Sequence, residues 1–169
     1  MAPWPFLRIA AHRGSGTMAP ENTLEGFRTG LRYGFKAMET DAMLAKDGVP
    51  VLMHDEKFGR TILDDDRSVP ELTSLEVRVL DAGSWFAPQY AGVPPAGFEQ
   101  AVRWCRANDV WLNIEIKPAA GAELETGRVV GRLTAELYAD LVREGGDRQE
   151  KINPKAPLFS SFKPDALRG

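Results

Sequence analysis

The stretch Trp111-Leu112-Asn113-Ile114-Glu115-Ile116-Lys117-Pro118 sets apolar residues at every second position from Leu112, with polar residues between them. In an extended chain successive side chains point to opposite faces, so Leu112, Ile114 and Ile116 share one face and Asn113, Glu115 and Lys117 the other. One face is apolar and the other wholly polar. An open parallel sheet, covered by helices on both sides, reads apolar on both. A closed barrel resolves the difference. Helices cover its outside, and its inward face carries chemical groups near the carboxyl ends of the strands.

Outward from this strand, further extended runs are predicted at Leu7 to Ala11, Ala37 to Leu44, Val49 to Met53 and Leu158 to Phe162. Helical stripes lie between several of them: Leu24, Phe27 and Leu31, then Phe98, Ala101, Val102 and Cys105, then Val130, Leu133, Leu137 and Leu141. Strand alternating with amphipathic helix predicts an α/β fold with parallel strands. One connection departs from that rule. Only Ala45-Lys46-Asp47-Gly48 separates the second and third runs, and Asp-Gly signals a two-residue hairpin turn. With Asp47 and Gly48 as the turn, Asp41 falls opposite His54, their Cβ atoms roughly 4.5–5.5 Å apart. Residues 55–97 differ in character, with many prolines and glycines, a Thr73-Ser-Leu-Glu76 capping box and the aromatic group Trp85, Phe86 and Tyr90. They are expected to form an inserted subdomain whose core the aromatics supply.

The polar residues gather at the predicted strands. Glu39 and Asp41 are two apart on one strand, so both carboxylates enter the same small volume, which requires a bound cation or a raised pKa. With Glu115 as a third oxygen donor and no thiolate cluster, the set suits Mg²⁺ or Ca²⁺ rather than zinc. The competing explanation is a structural ion pair with Arg13 or Lys117. It is the better reading for any single carboxylate, and the metal is the better one for the set. The chain has two histidines, His12 and His54, both at strand ends, where barrel active sites gather. Each stands beside a carboxylate or an arginine, which suits a general acid and base pair. Arg13 can clamp phosphate oxygens with two parallel hydrogen bonds, and Lys117 adds a point charge. The run Asp64-Asp65-Asp66 reads as a solvated loop.

Composition narrows the class further. A net charge of -3, from 21 basic and 24 acidic residues, argues against a protein that wraps nucleic acid. No apolar run approaches the ~20 residues needed to cross a bilayer. The opening residues lack the pattern of a secretion signal, and the expected location is the cytoplasm. Cys105, the single cysteine, lies in a helical apolar stripe and reads as a buried thiol.

The motifs His12-Arg-Gly, Ala19-Pro-Glu-Asn-Thr23, Glu39-Thr-Asp41, Lys46-Asp-Gly48, His54-Asp55, Leu80-Asp-Ala-Gly-Ser-Trp-Phe86, Asn113-Ile-Glu-Ile-Lys-Pro118 and Ser160-Ser-Phe162 resemble, in order and spacing, the glycerophosphodiester phosphodiesterase family of the bacterial cytosolic type. The resemblance implies a TIM-type barrel with an insertion after the third strand. It implies hydrolysis of a small-molecule glycerophosphodiester to glycerol 3-phosphate and an alcohol. Glu39, Asp41 and Glu115 would ligate one divalent cation, Mg²⁺ or Ca²⁺, and His12 and His54 would be general acid and base. Arg13 and Lys117 would stabilise phosphoryl charge, and the reaction would pass through a cyclic intermediate that water opens. An eight-stranded barrel takes ~250 residues, so residues 1–169 are expected to form one partial domain of about five strands. Such a piece exposes an unpaired strand edge and is expected to self-associate. The alternative reading is a remnant that binds divalent metal and phosphate without turnover.

Overall fold

The computed structural model describes residues 4–143 and 153–169. Residues 1–3, the start of the segment read for a secretion signal, lie outside the described residues. Strands β1 (Ala37–Leu44), β2 (Pro50–Leu52), β3 (Trp111–Ile116) and β4 (Leu158–Ser160) form one sheet in the order β2-β1-β3-β4. β1, β3 and β4 run parallel and β2 joins antiparallel. The predicted alternation in β3 holds, with Leu112, Ile114 and Ile116 buried and Asn113 and Glu115 half-buried. Leu112, Ile114, Met38 and Ala42 pack against Phe27 from α1 (Leu24–Arg32), Phe98, Val102 and Cys105 from α3 (Phe98–Ala107), and Val130 from α4 (Glu123–Leu137). Each Leu, Ile, Val, Phe or Met side chain among them, fully withdrawn from water, contributes roughly 1.5–3 kcal/mol. Burial pushes the Cys105 thiol pKa up, as an inert core cysteine requires.

The run Leu7 to Ala11 does not form a strand. Ala11 makes an isolated parallel bridge to Met38, its N–H donating to Ala37 O at 2.9 Å and its carbonyl accepting from Glu39 N at 3.0 Å. Leu7 and Ile9 stay exposed, so no buried face fixes a longer register. Among the described residues the sheet therefore has four strands rather than five.

The hairpin is one residue out of the predicted register. Ala42 faces Leu52, Met43 faces Val51, and Met53 N donates to Asp41 O at 3.1 Å, so Asp41 lies opposite Met53 and not His54. The turn contains Lys46, Asp47 and Gly48. Ala45 N donates to Val49 O at 3.0 Å, and Gly48 adopts a left-handed φ of 73°. This is the three-residue loop that closes on a left-handed position. The Asp47 carboxylate accepts from Ser74 N at 3.1 Å and Ser74 Oγ at 2.8 Å, tying the loop to α2 (Ser74–Val77).

The last helical stripe is also interrupted. α4 ends at Leu137, Tyr138 leaves helical geometry, and α5 (Ala139–Arg143) follows. The Arg106 guanidinium takes the Leu137 carbonyl, pairs with Asp140 and lies 4.8 Å from the centre of the Tyr138 ring, which fixes the break.

A second apolar cluster gathers Met43 from β1 and Val51 from β2 with Met53, Phe58, Ile62, Val69, Leu72 and Val77 from the segment that follows. Its centre is mostly aliphatic. Trp85, Phe86 and Tyr90 are half-buried outside it, meeting edge to face at 5.6 Å, so the aromatics do not supply this core. The capping box at Thr73 is present, with Glu76 accepting from Thr73 N at 2.8 Å.

Candidate active site

Strand register builds the site. Glu39 and Asp41 point to one face of β1, and the parallel pairing sets Asp41 beside Glu115 and Glu115 beside Ser160. One carboxylate oxygen from each of Glu39, Asp41 and Glu115 lies within 4.8 Å of the others. Glu39 is 9% exposed and Asp41 1%, so these like charges meet in a low-dielectric place. Burial, then the Asp41 carboxylate, pushes the Glu39 pKa up to about 7.

Glu39 Oε1 and Glu115 Oε1 are buried and accept no hydrogen bond. A buried oxygen without a partner is costly. Hard oxygen donors, like charges in contact and two unbonded oxygens together fit a divalent cation of the Mg²⁺ or Ca²⁺ kind. The ion pairs of the competing reading are present as well, and they do not satisfy the set. Lys117 Nζ is 3.6 Å from Glu115 Oε1, and Arg13 Nε is 3.5 Å from Asp41 Oδ2 while itself lacking a hydrogen bond.

His12, Arg13 and Gly14 form a short 3-10 turn after Ala11. Arg13 has a left-handed φ of 52°, rare for a side chain of that size, and its backbone N–H donates to Glu39 Oε2 at 2.9 Å. The His12 ring is 66% exposed, with Nε2 3.9 Å from Glu39 Oε2. His54 reaches the site from the end of the hairpin. Its Nδ1 lies 2.6 Å from Asp55 Oδ1 and its Nε2 lies 2.7 Å from Lys117 Nζ. Lysine is a donor only, so Nε2 accepts and the Nδ1–H donates to Asp55. All seven residues singled out in the sequence are thus linked by these contacts, Glu39 and Asp41 from within β1, Glu115 and Lys117 from the end of β3, and His12, Arg13 and His54 from the segments beside them. His54 arrives through Lys117 rather than across from Asp41.

Asn22 is a site residue that pattern reading left without a role. Its Nδ2 donates to Asp41 Oδ2 at 2.8 Å, and its Oδ1 accepts from Thr40 Oγ1 at 2.9 Å and Asp41 N at 3.2 Å. Its φ of 55° is one asparagine tolerates. Glu21 and Arg60 were missed too. Arg13 donates to Glu21 Oε1 at 2.9 Å, and Arg60 donates to both Glu21 oxygens at 2.8 and 2.7 Å and to Asp55 Oδ2 at 2.6 Å. The Pro-Glu-Asn-Thr stretch before α1 was the one available signal for Glu21 and Asn22. Asp64 and Asp66 are exposed and Asp65 pairs with Arg67 at 2.6 Å, as a solvated acidic loop should.

Residues 12–169 match the Glycerophosphoryl diester phosphodiesterase family. The chain belongs to that family. A family member from Caldanaerobacter subterraneus subsp. tengcongensis, a glycerophosphodiester phosphodiesterase, is 35% identical over 109 residues, covering 64% of this chain and 44% of that protein. Glycerophosphodiester phosphodiesterase 1 of Rattus norvegicus is 44% identical over 109 residues, covering 63% of this chain and 33% of that one. Among solved structures, an Oleispira antarctica phosphodiesterase in complex with the product sn-glycerol-3-phosphate superposes with a TM-score of 0.77 at 33% identity, over 96% of this chain and 60% of that one. The fold is accordingly an incomplete TIM-type barrel. The chain spans about half the length of the curated relatives it matches.

Proposed function

We propose that the chain hydrolyses glycerophosphodiesters to glycerol 3-phosphate and an alcohol, with one divalent cation, Mg²⁺ or Ca²⁺, held by Glu39, Asp41 and Glu115. The observation that carries this is the meeting of three carboxylates, one oxygen of each within 4.8 Å of the others, with Glu39 Oε1 and Glu115 Oε1 buried and unbonded, in a member of this family. The product complex of the Oleispira antarctica relative supports the substrate class.

When bound, such a cation supplies Lewis acidity toward a phosphoryl oxygen and lowers the pKa of a nearby hydroxyl. The chain's own groups do the rest. His12 and His54 exchange protons with the substrate's attacking glycerol hydroxyl and with the leaving alcohol, one as general base and the other as general acid, and water then opens the cyclic phosphodiester to glycerol 3-phosphate. His54 works through Nε2, because Asp55 holds its Nδ1–H. Lys117 vacates that nitrogen as its ammonium turns to the phosphoryl oxygens, and Arg13 offers guanidinium N–H groups to the same oxygens. Asn22 holds Asp41 in place by bonding both its side chain and its backbone N–H.

In this reading residues 55–97 are an insertion into one partial barrel domain, and the substrate is the small-molecule partner. The assigned place is the cytoplasm; no helix among the described residues is long and apolar enough to cross a membrane. The test is release of glycerol 3-phosphate from glycerophosphoethanolamine with Mg²⁺, with Ca²⁺ and with chelator, beside Glu39→Ala. The expected result is activity lost in both chelator and variant. Cation binding without product overturns the hydrolase reading in favour of a metal- and phosphate-binding protein.

A further inference from the structure

Resting on the hydrolase reading above, we propose that Arg60 is a positioning residue, a single guanidinium that orients His54 through Asp55 and Arg13 through Glu21. It belongs to neither the carboxylate cluster nor the phosphate-facing groups. It comes from the segment after β2, whereas Glu21 lies in the loop before α1, 39 positions earlier.

Three of the guanidinium's N–H groups are engaged. Nε donates to Asp55 Oδ2 at 2.6 Å, and the two terminal nitrogens donate to Glu21 Oε2 and Oε1 at 2.8 and 2.7 Å. Each carboxylate is at the same time shared with a site residue. Asp55 accepts from His54 Nδ1 through its other oxygen at 2.6 Å, and Glu21 Oε1 also accepts from Arg13 at 2.9 Å. The Trp85 ring flanks the guanidinium, 5.8 Å from Cζ to its centre.

The geometry follows from what each group does when released. Asp55 is about one-third exposed, and without Arg60 its carboxylate is free to rotate away from His54. The Nδ1–H tautomer that leaves Nε2 for proton transfer then loses its anchor. Glu21 is 11% exposed, and without Arg60 its charge falls on Arg13 alone, drawing that guanidinium from Asp41 toward Glu21. A planar fork can hold both carboxylates at once. The point charge of a lysine cannot, so Arg60→Lys is not conservative here.

The test compares Arg60→Ala, Arg60→Lys and Arg60→Gln with the unaltered chain, by ¹⁵N imidazole NMR and by turnover of glycerophosphoethanolamine. With two histidines in the chain, a His12→Gln variant assigns the spectrum. The unaltered chain is expected to show His54 as the Nδ1–H tautomer. All three variants are expected to show a tautomer mixture and a kcat lowered roughly 10–100-fold, and Arg60→Ala partial rescue by added guanidinium. Arg60→Gln keeps a polar stem and serves where Arg60→Ala does not melt cooperatively. An unchanged His54 tautomer in the variants overturns the proposal, whatever the rate. Absence of product from the unaltered chain refutes the hydrolase reading instead, and the NMR arm still decides whether Arg60 holds His54.

Discussion

Glu39 shows how much chemistry one position carries. Its spacing from Asp41 was legible because alternation along a strand is strict. Its depth was not, since burial depends on Ala11 bridging to Met38 from outside the strand. The pH consequence has a definite sign. The folded, metal-free chain holds a proton on Glu39 up to about 7, above the ordinary 4.5. The unfolded chain loses it earlier, so this group's contribution to stability falls as pH rises from about 4.5 through about 7. A cation must displace that proton, and Mg²⁺ affinity measured by calorimetry is expected to rise from about pH 6 to about pH 8. Glu39→Gln is expected to flatten that rise; an equally steep one would assign the proton elsewhere. Asn22 is the reverse case, visible in sequence only as part of a motif. Its amide is buried and bonded to Asp41 and Thr40, so Asn22→Ala leaves buried polar groups unpaired and is expected to cost ~1–3 kcal/mol in denaturant unfolding.

Among the elements, amphipathic pattern was a good guide and loop geometry a poor one. α3 and β3 lie where their stripes put them, because each buries one apolar face in the same core. The hairpin slipped by one residue because Asp47 serves α2 through Ser74, a contact 27 positions away that local turn rules do not see. The break after α4 has the same origin, Arg106 reaching the Leu137 carbonyl from α3. Two glycines separate conformational strain from crowding. A Cβ at Gly48 meets nothing within 4 Å, so Gly48→Ala is charged only for its left-handed backbone, about 1–2 kcal/mol. At Gly14 the same atom would sit 2.4 Å from the Phe27 ring, at φ 99°. Thermal melts are therefore expected to show Gly14→Ala well below Gly48→Ala. Equal melting temperatures would mean that the His12–Gly14 turn has room to shift.

For the whole molecule, the alternation in one strand was enough to favour a barrel over an open doubly covered sheet, and the family assignment agrees with it. The strand count was less legible, because extended propensity at Leu7 to Ala11 did not show that Leu7 and Ile9 would face solvent. The candidate site comes together within this sheet because its three carboxylates stand on β1 and β3, which are neighbours, and its other groups come from the segments beside them. Among the described residues β4 pairs only with β3, which leaves its outer edge with unpaired backbone groups, and Phe162 just beyond it is 88% exposed. An edge of that kind is a template for another strand. The isolated polypeptide of residues 1–169 is therefore expected to associate with itself, its sedimentation coefficient rising with concentration. A proline at Phe159, whose neighbour across the sheet is Ile114, removes a backbone donor from β4 and is expected to disturb that association. Sedimentation as a single monomeric species at every concentration would mean that the edge is covered by the chain itself.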